Sequence, residues 1–451
     1  MRPALNRSDV PEVEWPPMAV GNAAVLGALL RQLGDSQWLT REEIEAMQRR
    51  QLARLAAHCA KYSRHFRRTL REAGLKPAAL VEPGALQKLP ILTRREVQAG
   101  AELFCSMAPN SHMPVIESAT TGSTGTPVTV RRTSITGMVQ CGLVLRGYAW
   151  HGRHYPDRVC TIRVTAGGIE RRGDWGPPAN LLFATGPALN IPVEADIDAQ
   201  IDLIRDFEPT VLSVSPTNLI AIGRRCVERG VELPSVEMFY TIGETVAEDT
   251  RAEVRETLGQ GIVDTYSSME LGCIAIQCPA SELYHIMSEA VIVEVIDENG
   301  HACAEGQPGR VVITDLLNFA TPLVRYAIGD WAEPGPPCPC GRGLPTLRRI
   351  FGRERNLVRL PDGTRHWPRL GNAHYRRIAP VIQLQVVQES LEDVELRLVV
   401  ARPLTEAEEA ALAAHLQAML AWPFRIRITY YETEIPAGPG GKYEDFVSRV
   451  A

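Results

Sequence analysis

Short apolar runs with the pattern of strands alternate with helical stretches between about residues 135 and 260, and this alternation constrains the fold most. The strand-like runs lie at 159–162, 211–214 and 238–242, and the helical stretches lie at 197–207 and 218–229. Strands that alternate with helices along a chain are typical of an α/β sheet. We therefore predict such a sheet in the middle of the chain.

The two ends of the chain have a different texture. Residues 39–75 predict a helical N-terminal segment, because Thr40 can cap a helix whose apolar residues recur at helical spacing. After about residue 353, strand patterns at 383–387, 394–400 and 425–431 accompany a helical stretch at 406–420. We therefore expect a large N-terminal α/β domain over residues 1–353 and a small α+β domain over residues 354–451.

The composition excludes several classes of protein. Of 451 residues, 45% are hydrophobic and 22% charged, which is enough apolar material for a buried core and excludes a wholly disordered chain. The net charge of −5 argues against a nucleic-acid partner. Residues 18–30 form the most apolar N-terminal stretch, which is too short to span a membrane and lacks the features of a secretory signal. We therefore expect a cytoplasmic protein that does not insert into membranes.

A glycine- and hydroxyl-rich loop precedes the strand pattern Val-Thr-Val at 128–130. Glycine lets the backbone approach an anion closely, and hydroxyl and N–H groups can surround phosphate oxygens. The loop is not a P-loop, because no lysine follows it. A flexible polar turn between two strands has the same composition, so the loop alone leaves both readings open. The candidate phosphate-binding residues are Thr121, Gly122, Ser123, Thr124, Gly125 and Thr126.

An acidic segment follows a later apolar run. It reads Asp-Thr-Tyr-Ser-Ser-Met-Glu-Leu-Gly over residues 264–272, and Gly243-Glu244 ends the apolar run before it. An acid after a strand end can hold Mg²⁺, and a nearby aromatic ring can stack on a base. The alternative is the start of a helix with Glu270 as a solvated surface acid.

Three further pieces lie downstream. Asp330 follows a glycine turn, Gly352 precedes Arg353, and a glycine-rich loop precedes Lys442 near the C-terminus. An aspartate in this setting can accept both hydroxyls of a ribose, and a lysine on a mobile loop can reach an anionic centre. Each of these pieces is weak on its own.

Together and in this order, the motifs resemble the adenylate-forming superfamily and, within it, the phenylacetate–CoA ligase family. The similarity runs from about residue 39 to residue 448. It includes Leu-Pro-Ile-Leu-Thr at 89–93, the loop at 120–127, Pro-Thr-Val-Leu at 209–212, Gly-Glu at 243–244 and Tyr-x-x-x-Glu at 266–270. It continues with Pro-Leu-Val-Arg-Tyr at 322–326, Gly-Asp at 329–330, Cys-Gly-Arg at 340–342, Gly-Arg at 352–353 and Gly-Lys at 441–442.

The resemblance implies an ATP site. The loop at 121–126 would hold the β- and γ-phosphates, Gly243, Glu244, Tyr266 and Ser267 would line the adenine pocket with Tyr266 stacking on the base, and Glu270 would bind Mg²⁺. Asp330 would hold the ribose, and Arg353 would contact the ribose or a phosphate near the domain junction. Three places depart from the family pattern. Thr126 stands where many members have lysine, Ser267 stands where glycine is frequent, and Glu-Arg-Asn at 354–356 follows Arg353, where an aspartate or lysine is common.

The resemblance also implies a two-step reaction. Lys442 would bridge the substrate carboxylate and the α-phosphate while the acyl-adenylate forms. The small C-terminal domain would then rotate, remove that lysine and open a channel for the thiol of coenzyme A. We expect the acid pocket between two strand ends, lined by the segment 213–217, with Ser215 and Pro216, and by Ile242 and Gly243.

Ten cysteines are scattered over the chain, and closely spaced cysteines in a cytosolic protein indicate a metal rather than disulfides. Cys278, His285, Cys338 and Cys340 make a Cys₃His set suited to a closed, structural Zn²⁺ site. Some relatives look similar here and hold zinc. Four ordinary residues are the alternative, and Cys273 is the substitute if one ligand is wrong.

The sequence therefore predicts an enzyme that uses ATP and Mg²⁺ to activate a small carboxylic acid, aromatic by analogy with the family. Thioester formation with coenzyme A would follow. A carrier-protein thiol or an amine is an alternative acceptor. A non-catalytic nucleotide-binding homologue is the rival from another class, although the joint presence of Glu270, Asp330 and Lys442 argues against it. A homodimer through the N-terminal helices is an expectation from family analogy.

Overall fold

The structure is a computed structural model that describes residues 7–119, 127–165, 167–368, 370, 372–436 and 445–450. The predicted phosphate loop at 121–126 and Lys442 lie outside the described residues. The helices are α1 Gly21–Ser36, α2 Arg41–Tyr62, α3 Arg64–Glu72, α4 Arg94–Ala99, α5 Ser134–Trp150, α6 Ile197–Phe207, α7 Pro216–Arg229, α8 Glu248–Leu258, α9 Asn372–Ile378 and α10 Glu406–Leu420.

The strands follow the same chain order. They are β1 Val115–Ala119, β2 Thr129–Thr133, β3 Val159–Arg163, β4 Glu170–Arg172, β5 Ala188–Pro192, β6 Val211–Val214, β7 Met238–Thr241, β8 Ile262–Ser268, β9 Gly272–Gln277 and β10 Tyr284–Ile286. The later strands are β11 Val291–Ile296, β12 Gly309–Asp315, β13 Tyr326–Pro334, β14 Thr346–Arg353, β15 Val358–Arg359, β16 Arg365–His366, β17 Val381–Gln388, β18 Asp393–Val400, β19 Arg425–Tyr430 and β20 Phe446–Ser448.

A twelve-stranded sheet runs through the large part of the molecule in the order β11-β12-β13-β14-β10-β9-β8-β7-β6-β3-β5-β4. Strands β5, β3, β6, β7 and β8 are parallel to one another. From β8 onward the neighbours are antiparallel. The parallel half confirms the predicted alternation of strands and helices, and β8 joins the two halves of the sheet.

Helix-capping residues explain where the predicted helices begin. Thr40 and Thr93 each accept a hydrogen bond from the backbone N–H three residues on, and the glutamate at that position bonds back to the threonine N–H. This reciprocal capping box satisfies two helix N–H groups that have no partner within the helix. It starts α2 at Arg41, as predicted, and α4 at Arg94. The sequence reasoning missed α1, which packs against α5.

The C-terminal part forms its own four-stranded sheet in the order β19-β18-β17-β20. Leucines at one face of α10 are fully buried in a core that reaches from Val358 to Phe446. The predicted strands and helix are all present. Strand β20 was not predicted and pairs in parallel with β17.

Candidate active site

An open cleft with a cavity volume of about 3150 Å³ lies at the carboxyl ends of β6, β7 and β8 and extends to the C-terminal sheet. Ligands of open α/β sheets bind at this end of the strands. The cleft brings together ten predicted site residues that are distant in sequence. They are Ser215, Pro216, Ile242, Gly243, Glu244, Tyr266, Ser267, Glu270, Asp330 and Arg353.

Tyr266, Asp330 and Arg353 form one contact group in this cleft. The Tyr266 hydroxyl donates to Oδ2 of Asp330 at 2.8 Å, and Nε of Arg353 lies 3.2 Å from Oδ1 of the same carboxylate. Burial, together with the negative charge of Asp330, raises the pKa of Tyr266 well above its usual value, so the phenol stays a donor. Burial alone opposes the charge of Arg353, but Asp330 and Glu270 raise its pKa above the ordinary value.

Sheet register and one glycine place this group. Asp330 on β13 and Arg353 on β14 are direct cross-strand partners. Gly352 has a positive φ of 84°, and a Cβ there would lie 2.6 Å from Oγ1 of Thr245. Only glycine therefore allows the end of β14 to touch the loop that follows Gly243 and Glu244.

Glu270 lies in the tight turn between β8 and β9, with its side chain only 3% exposed. The alternative reading of a solvated acid at a helix start is wrong, because β8 runs into this turn and β9 follows it. Oε1 of Glu270 lies 3.0 Å from Nη1 of Arg94, which is 22% exposed. Two residues before Arg94, the N–H of Leu92 donates to the carbonyl of Arg325 and its carbonyl accepts from the N–H of Ala327, which fixes the chain beside the start of β13.

Two side chains clamp the turn that carries Glu270. Arg132 on β2 donates to the carbonyl of Met269. Gln140 on α5 donates to the carbonyl of Leu271 at 3.1 Å and accepts from the N–H of Cys273 at 2.7 Å. Burial lowers the pKa of Arg132, and Asp315 and Glu270 oppose that effect. The turn is therefore fixed from both sides before any ligand binds. We call Tyr266, Glu270, Asp330, Arg353 and Arg94 the nucleotide cluster.

Glu244 joins two of the predicted segments. Its Oε2 accepts from both the N–H of Thr217 at 3.1 Å and the hydroxyl of Thr217 at 2.6 Å. Thr217 is the second residue of α7, so the carboxylate caps the positive end of this helix. Ser215 and Pro216, predicted in the acid pocket, begin that helix beside the cleft.

Known proteins are similar to this chain in sequence and in fold. No known protein-family model matches the chain. The phenylacetate–coenzyme A ligase of Thermus thermophilus is 27% identical over 384 residues, which cover 82% of this chain and 84% of that protein. The Escherichia coli enzyme of the same name is 25% identical over 329 residues, 70% of this chain and 72% of that protein.

The solved structure of 2-hydroxyisobutyryl-CoA ligase, in a complex with 2-HIB-AMP, matches the fold with a TM-score of 0.73. It is 18% identical and covers 91% of this chain and 90% of its own. The chain is similar in sequence to the phenylacetate–CoA ligases over more than two thirds of its length, and it shares the fold of this solved ligase. This confirms the predicted fold class, a large α/β part with a smaller C-terminal α+β part.

The sequence did not predict Arg94, Arg132 and Gln140 as residues of the site. Thr93 caps the helix that begins at Arg94, but the partner of Arg94, Glu270, lies 176 positions away in the chain. Arg132 and Gln140 reach the turn across 137 and 131 positions. A polar residue on a strand or helix has no local signal for such a distant partner.

The four predicted metal ligands come together beside the antiparallel strands β9 and β10. The ligand atoms of Cys278, His285, Cys338 and Cys340 all lie within 4.8 Å of one another. The sulfurs of Cys278 and Cys338 are 3.6 Å apart, and Sγ of Cys340 lies 3.3 Å from Nε2 of His285. With Zn–S bonds of about 2.3 Å, the edge of a tetrahedral site is about 3.8 Å, so the donor set fits zinc.

The surroundings also fit a metal site. The other ring nitrogen of His285 lies 3.3 Å from the carbonyl of Leu344, which leaves Nε2 directed at the thiols. The N–H of Ala280 donates to Sγ of Cys278 at 3.4 Å. Cys273, the substitute ligand considered above, is buried in the main core and is not part of the cluster that the described residues form.

A search of the described residues finds no helix that is long and apolar enough to cross a membrane.

Proposed function

We propose that this protein activates a small carboxylic acid with ATP and transfers the acyl group to coenzyme A. A carboxylate oxygen of the acid attacks the α-phosphorus of ATP, and the bond to the leaving pyrophosphate breaks. The thiol of coenzyme A then loses its proton and attacks the acyl carbon, and AMP leaves with the electrons of the carbon–oxygen bond. The relatives named above carry out ligation to coenzyme A, as their names state.

The observation that supports this proposal is the convergence of Tyr266, Asp330, Arg353 and Glu270 on one cleft. Asp330 accepts one hydrogen bond from Tyr266 and faces Arg353, so its free lone pairs suit the two hydroxyls of a ribose. Arg353 carries a charge that suits a phosphate or ribose oxygen beside that carboxylate. Transfer of an adenylyl group needs mainly positioning and charge stabilisation, and this cluster supplies both.

Arg94 has a place in this proposal because it neutralises Glu270 in the free protein. When the carboxylate binds a cation, the guanidinium is released and can meet phosphate oxygens in the same cleft. Arginine suits this exchange because it is always charged and binds phosphate with two parallel donors.

Two metal ions belong to the proposal. Mg²⁺ suits Glu270, because this cation takes one or two carboxylates from a protein and completes its shell with phosphate oxygens and water. Bound Mg²⁺ supplies charge neutralisation on the phosphates. Zn²⁺ suits Cys278, His285, Cys338 and Cys340, and the full set of four protein ligands makes this site structural.

The loop at 121–126 and Lys442 keep their predicted roles in phosphate binding and in stabilisation of the α-phosphate. We propose that residues 354–451 form a separate domain whose rotation exchanges Lys442 for the thiol channel. The ten free cysteines fit the reducing conditions of the cytoplasm, where we place the reaction.

The test is carboxylate-dependent exchange of labelled pyrophosphate into ATP, with Mg²⁺ and a panel of aromatic and aliphatic acids. We expect exchange with at least one acid and loss of that exchange in Lys442→Ala. Adding coenzyme A should then convert the acid into a thioester. Exchange without thioester formation would overturn the coenzyme A step, and no exchange with any acid from folded protein that binds ATP would overturn adenylation.

A further inference from the structure

One face of the parallel half-sheet carries a row of neutral polar side chains. Thr161 on β3 lies opposite Asn190 on β5 and Ser213 on β6, and Ser213 lies opposite Tyr240 on β7. Residues in register on parallel strands point to the same face of the sheet. All four residues line the cleft. We call Asn190, Thr161, Ser213 and Tyr240 the acyl row.

The rest of the same sheet region is apolar. One pleat earlier on the same face, Ala188, Val159, Val211 and Met238 form a small core with Trp175. On the opposite face, Leu212 and Phe239 are fully buried under the helices. Strands of a parallel sheet that is covered on both faces are usually apolar throughout. The other buried polar pair of this half-sheet, Thr241 and Asp264, lies on the opposite face and is joined by its own hydrogen bond of 2.8 Å, so the row is the polar group that these strands present to the cleft.

Some hydroxyl groups of the row are free to bind a ligand. The hydroxyls of Thr161 and Ser213 have no hydrogen-bond partner among the residues that the structure describes, although both residues are half-buried. Asn190 is 9% exposed and donates to Glu170 at 3.0 Å. The Tyr240 hydroxyl pairs with Oγ1 of Thr265, which also lines the cleft. Half-buried hydroxyls without partners favour a ligand that supplies those partners.

The row is also neutral and stiff. Burial raises the pKa of Tyr240, so its phenol stays uncharged. The Arg153 guanidinium lies 4.1 Å from the ring centre of Tyr148 and 4.4 Å from that of Tyr240. Such cation–π contacts hold both rings in place. The groups of the row itself are neutral donors and acceptors, which suit an uncharged hydroxyl group. A second carboxylate would instead have to pair with Arg163, one pleat beyond Thr161 on the same face of β3, or with Arg172, both of which also line the cleft.

We propose that the acid activated by this protein carries an uncharged hydroxyl group, bound by the acyl row, on an apolar ring or chain that packs towards Trp175. This inference rests on the proposed function, because it identifies the substrate class of the same site. The apolar pleat accepts the body of the acyl group, and Thr161, Ser213 and Tyr240 bind the hydroxyl. An acid without that hydroxyl leaves the polar groups unpaired in the closed complex, which is a strong basis for discrimination.

The experiment compares matched pairs of acids in the pyrophosphate exchange assay. The pairs are benzoate with 3- and 4-hydroxybenzoate, phenylacetate with 4-hydroxyphenylacetate, and butyrate with 3-hydroxybutyrate, and terephthalate tests a second charge. We expect kcat/KM for the hydroxylated member of at least one pair to exceed that of its partner by about tenfold or more, with terephthalate inactive. The aromatic and aliphatic pairs distinguish the two possible bodies.

Two variants locate the effect. In Ser213→Ala and Tyr240→Phe, the ratio of the two kcat/KM values should fall towards one, because the hydroxylated acid loses more than its partner. Both ratios are measured on a single protein sample, so a loss of folded protein cancels. Ser235→Ala, a serine before β7 at the other end of the strand, should leave the ratio unchanged.

Each outcome decides between the two proposals. Equal or faster exchange of the unsubstituted acid in every pair would overturn this inference and leave adenylation intact. An equal loss for both members of the preferred pair in Ser213→Ala and Tyr240→Phe would also overturn it. No exchange with any acid would overturn the proposed function and this inference with it.

Discussion

The two walls of the cleft, the nucleotide cluster and the acyl row, bury polar groups in opposite ways. In the nucleotide cluster, each buried carboxylate already has an arginine, Arg94 for Glu270 and Arg353 for Asp330. In the acyl row, Thr161 and Ser213 are neutral and have no side-chain hydrogen-bond partner among the described residues. One wall consists of charges that are already paired, and the other presents neutral hydroxyls that have no side-chain partner among the described residues.

The difference follows from the cost of desolvation. An unpaired buried charge is too costly to keep, so a site for an anionic ligand must pair its own charges before the ligand arrives. A half-buried hydroxyl without a partner costs far less. In the proposed function, nucleotide binding therefore exchanges existing partners, whereas binding of the acyl group adds new ones. Under this comparison the charged wall controls the rate and the neutral wall controls the choice of acid.

The largest expected effect comes from the charged wall. Glu270→Gln removes a carboxylate and leaves Arg94 without its ion pair. We expect formation of the acyl-adenylate to slow by roughly 100- to 1000-fold, the usual cost of losing one group that stabilises charge in a transition state. Single-turnover measurement with labelled ATP gives this rate directly.

Glu282→Gln is the matched control for this substitution. Glu282 is an exposed carboxylate that also lines the cleft. We expect its rate to stay within about twofold of the parent protein, as for most exposed substitutions away from a site. If Glu270→Gln behaves like Glu282→Gln, the charged wall does not control the rate and the comparison fails.

The Cys₃His cluster sharpens the comparison, because in the proposed function its four side chains bind a structural metal ion. Cys338→Ser should lower the zinc content from one per chain towards zero and lower the melting temperature by about 5 °C or more, since metal binding contributes folding free energy. Elemental analysis and a thermal scan measure both. Cys273→Ser changes a buried cysteine outside the cluster and should keep the metal, so zinc retained in Cys338→Ser would contradict the assignment.

The sequence predicts a structural feature of this molecule when the residues that determine the feature are neighbours in the chain. The capped start of α2 and the strand β6 follow from neighbouring residues, and these predictions are confirmed. The convergence of Tyr266 and Asp330 followed only from the ordered resemblance, because 64 positions separate them.

The acyl row could not be predicted from sequence in this way. Ser213 begins the segment that was predicted to line the acid pocket, but Thr161, Asn190 and Tyr240 are single polar residues within apolar strands, and such a residue gives no sign of its neighbours. Only the register of β3, β5, β6 and β7 turns them into a row. Contacts such as Arg94 with Glu270 depend likewise on tertiary packing, which no local pattern encodes.

A smaller effect separates orientation from charge in the nucleotide cluster. Tyr266→Phe keeps the ring and removes the hydroxyl that donates to Asp330 at 2.8 Å. We expect KM for ATP to rise by about tenfold with a smaller change in kcat, because loss of one hydrogen bond to a charged group costs about 1.5 kcal/mol. Initial rates of pyrophosphate exchange at varied ATP give both constants.

Tyr284→Phe provides the control for this loss. The Tyr284 hydroxyl also donates at 2.8 Å to a buried aspartate, Asp264, which has no predicted role with the nucleotide. Both variants lose a hydrogen bond from a phenol to an aspartate, and Tyr284→Phe also loses the bond that Arg251 donates at 2.7 Å, so both should melt at a lower temperature. A similar rise in KM for ATP in both would mean that Tyr266 acts only through stability.

The smallest effect concerns Asp315, a buried acid at the end of β12 that is held differently from both walls. Its Oδ1 accepts from the N–H groups of Leu317 at 2.9 Å and Asn318 at 3.1 Å. Burial raises its pKa from 3.8 to about 6, against the opposing effect of these hydrogen bonds and of Arg132. The folded protein therefore favours the neutral acid, and this contribution to stability is lost as the pH rises from about 4 through 6.

Asp315→Asn keeps the oxygen that accepts both N–H groups and removes the ionisation. The free energy of unfolding of this variant, relative to the parent protein, should therefore be greater at pH 8 than at pH 5 by about 1 kcal/mol. The reason is that Asp315 of the folded parent protein, with a pKa of about 6, becomes ionised between these two pH values. Thermal scans at the two pH values measure the difference, with Asp249→Asn as the control at an exposed carboxylate. A constant carboxamide cost cancels between the two conditions, so an equal difference at both would mean that Asp315 stays ionised in the fold. In that case Arg132 would be its true partner, and the acid would belong with the paired carboxylates of the charged wall.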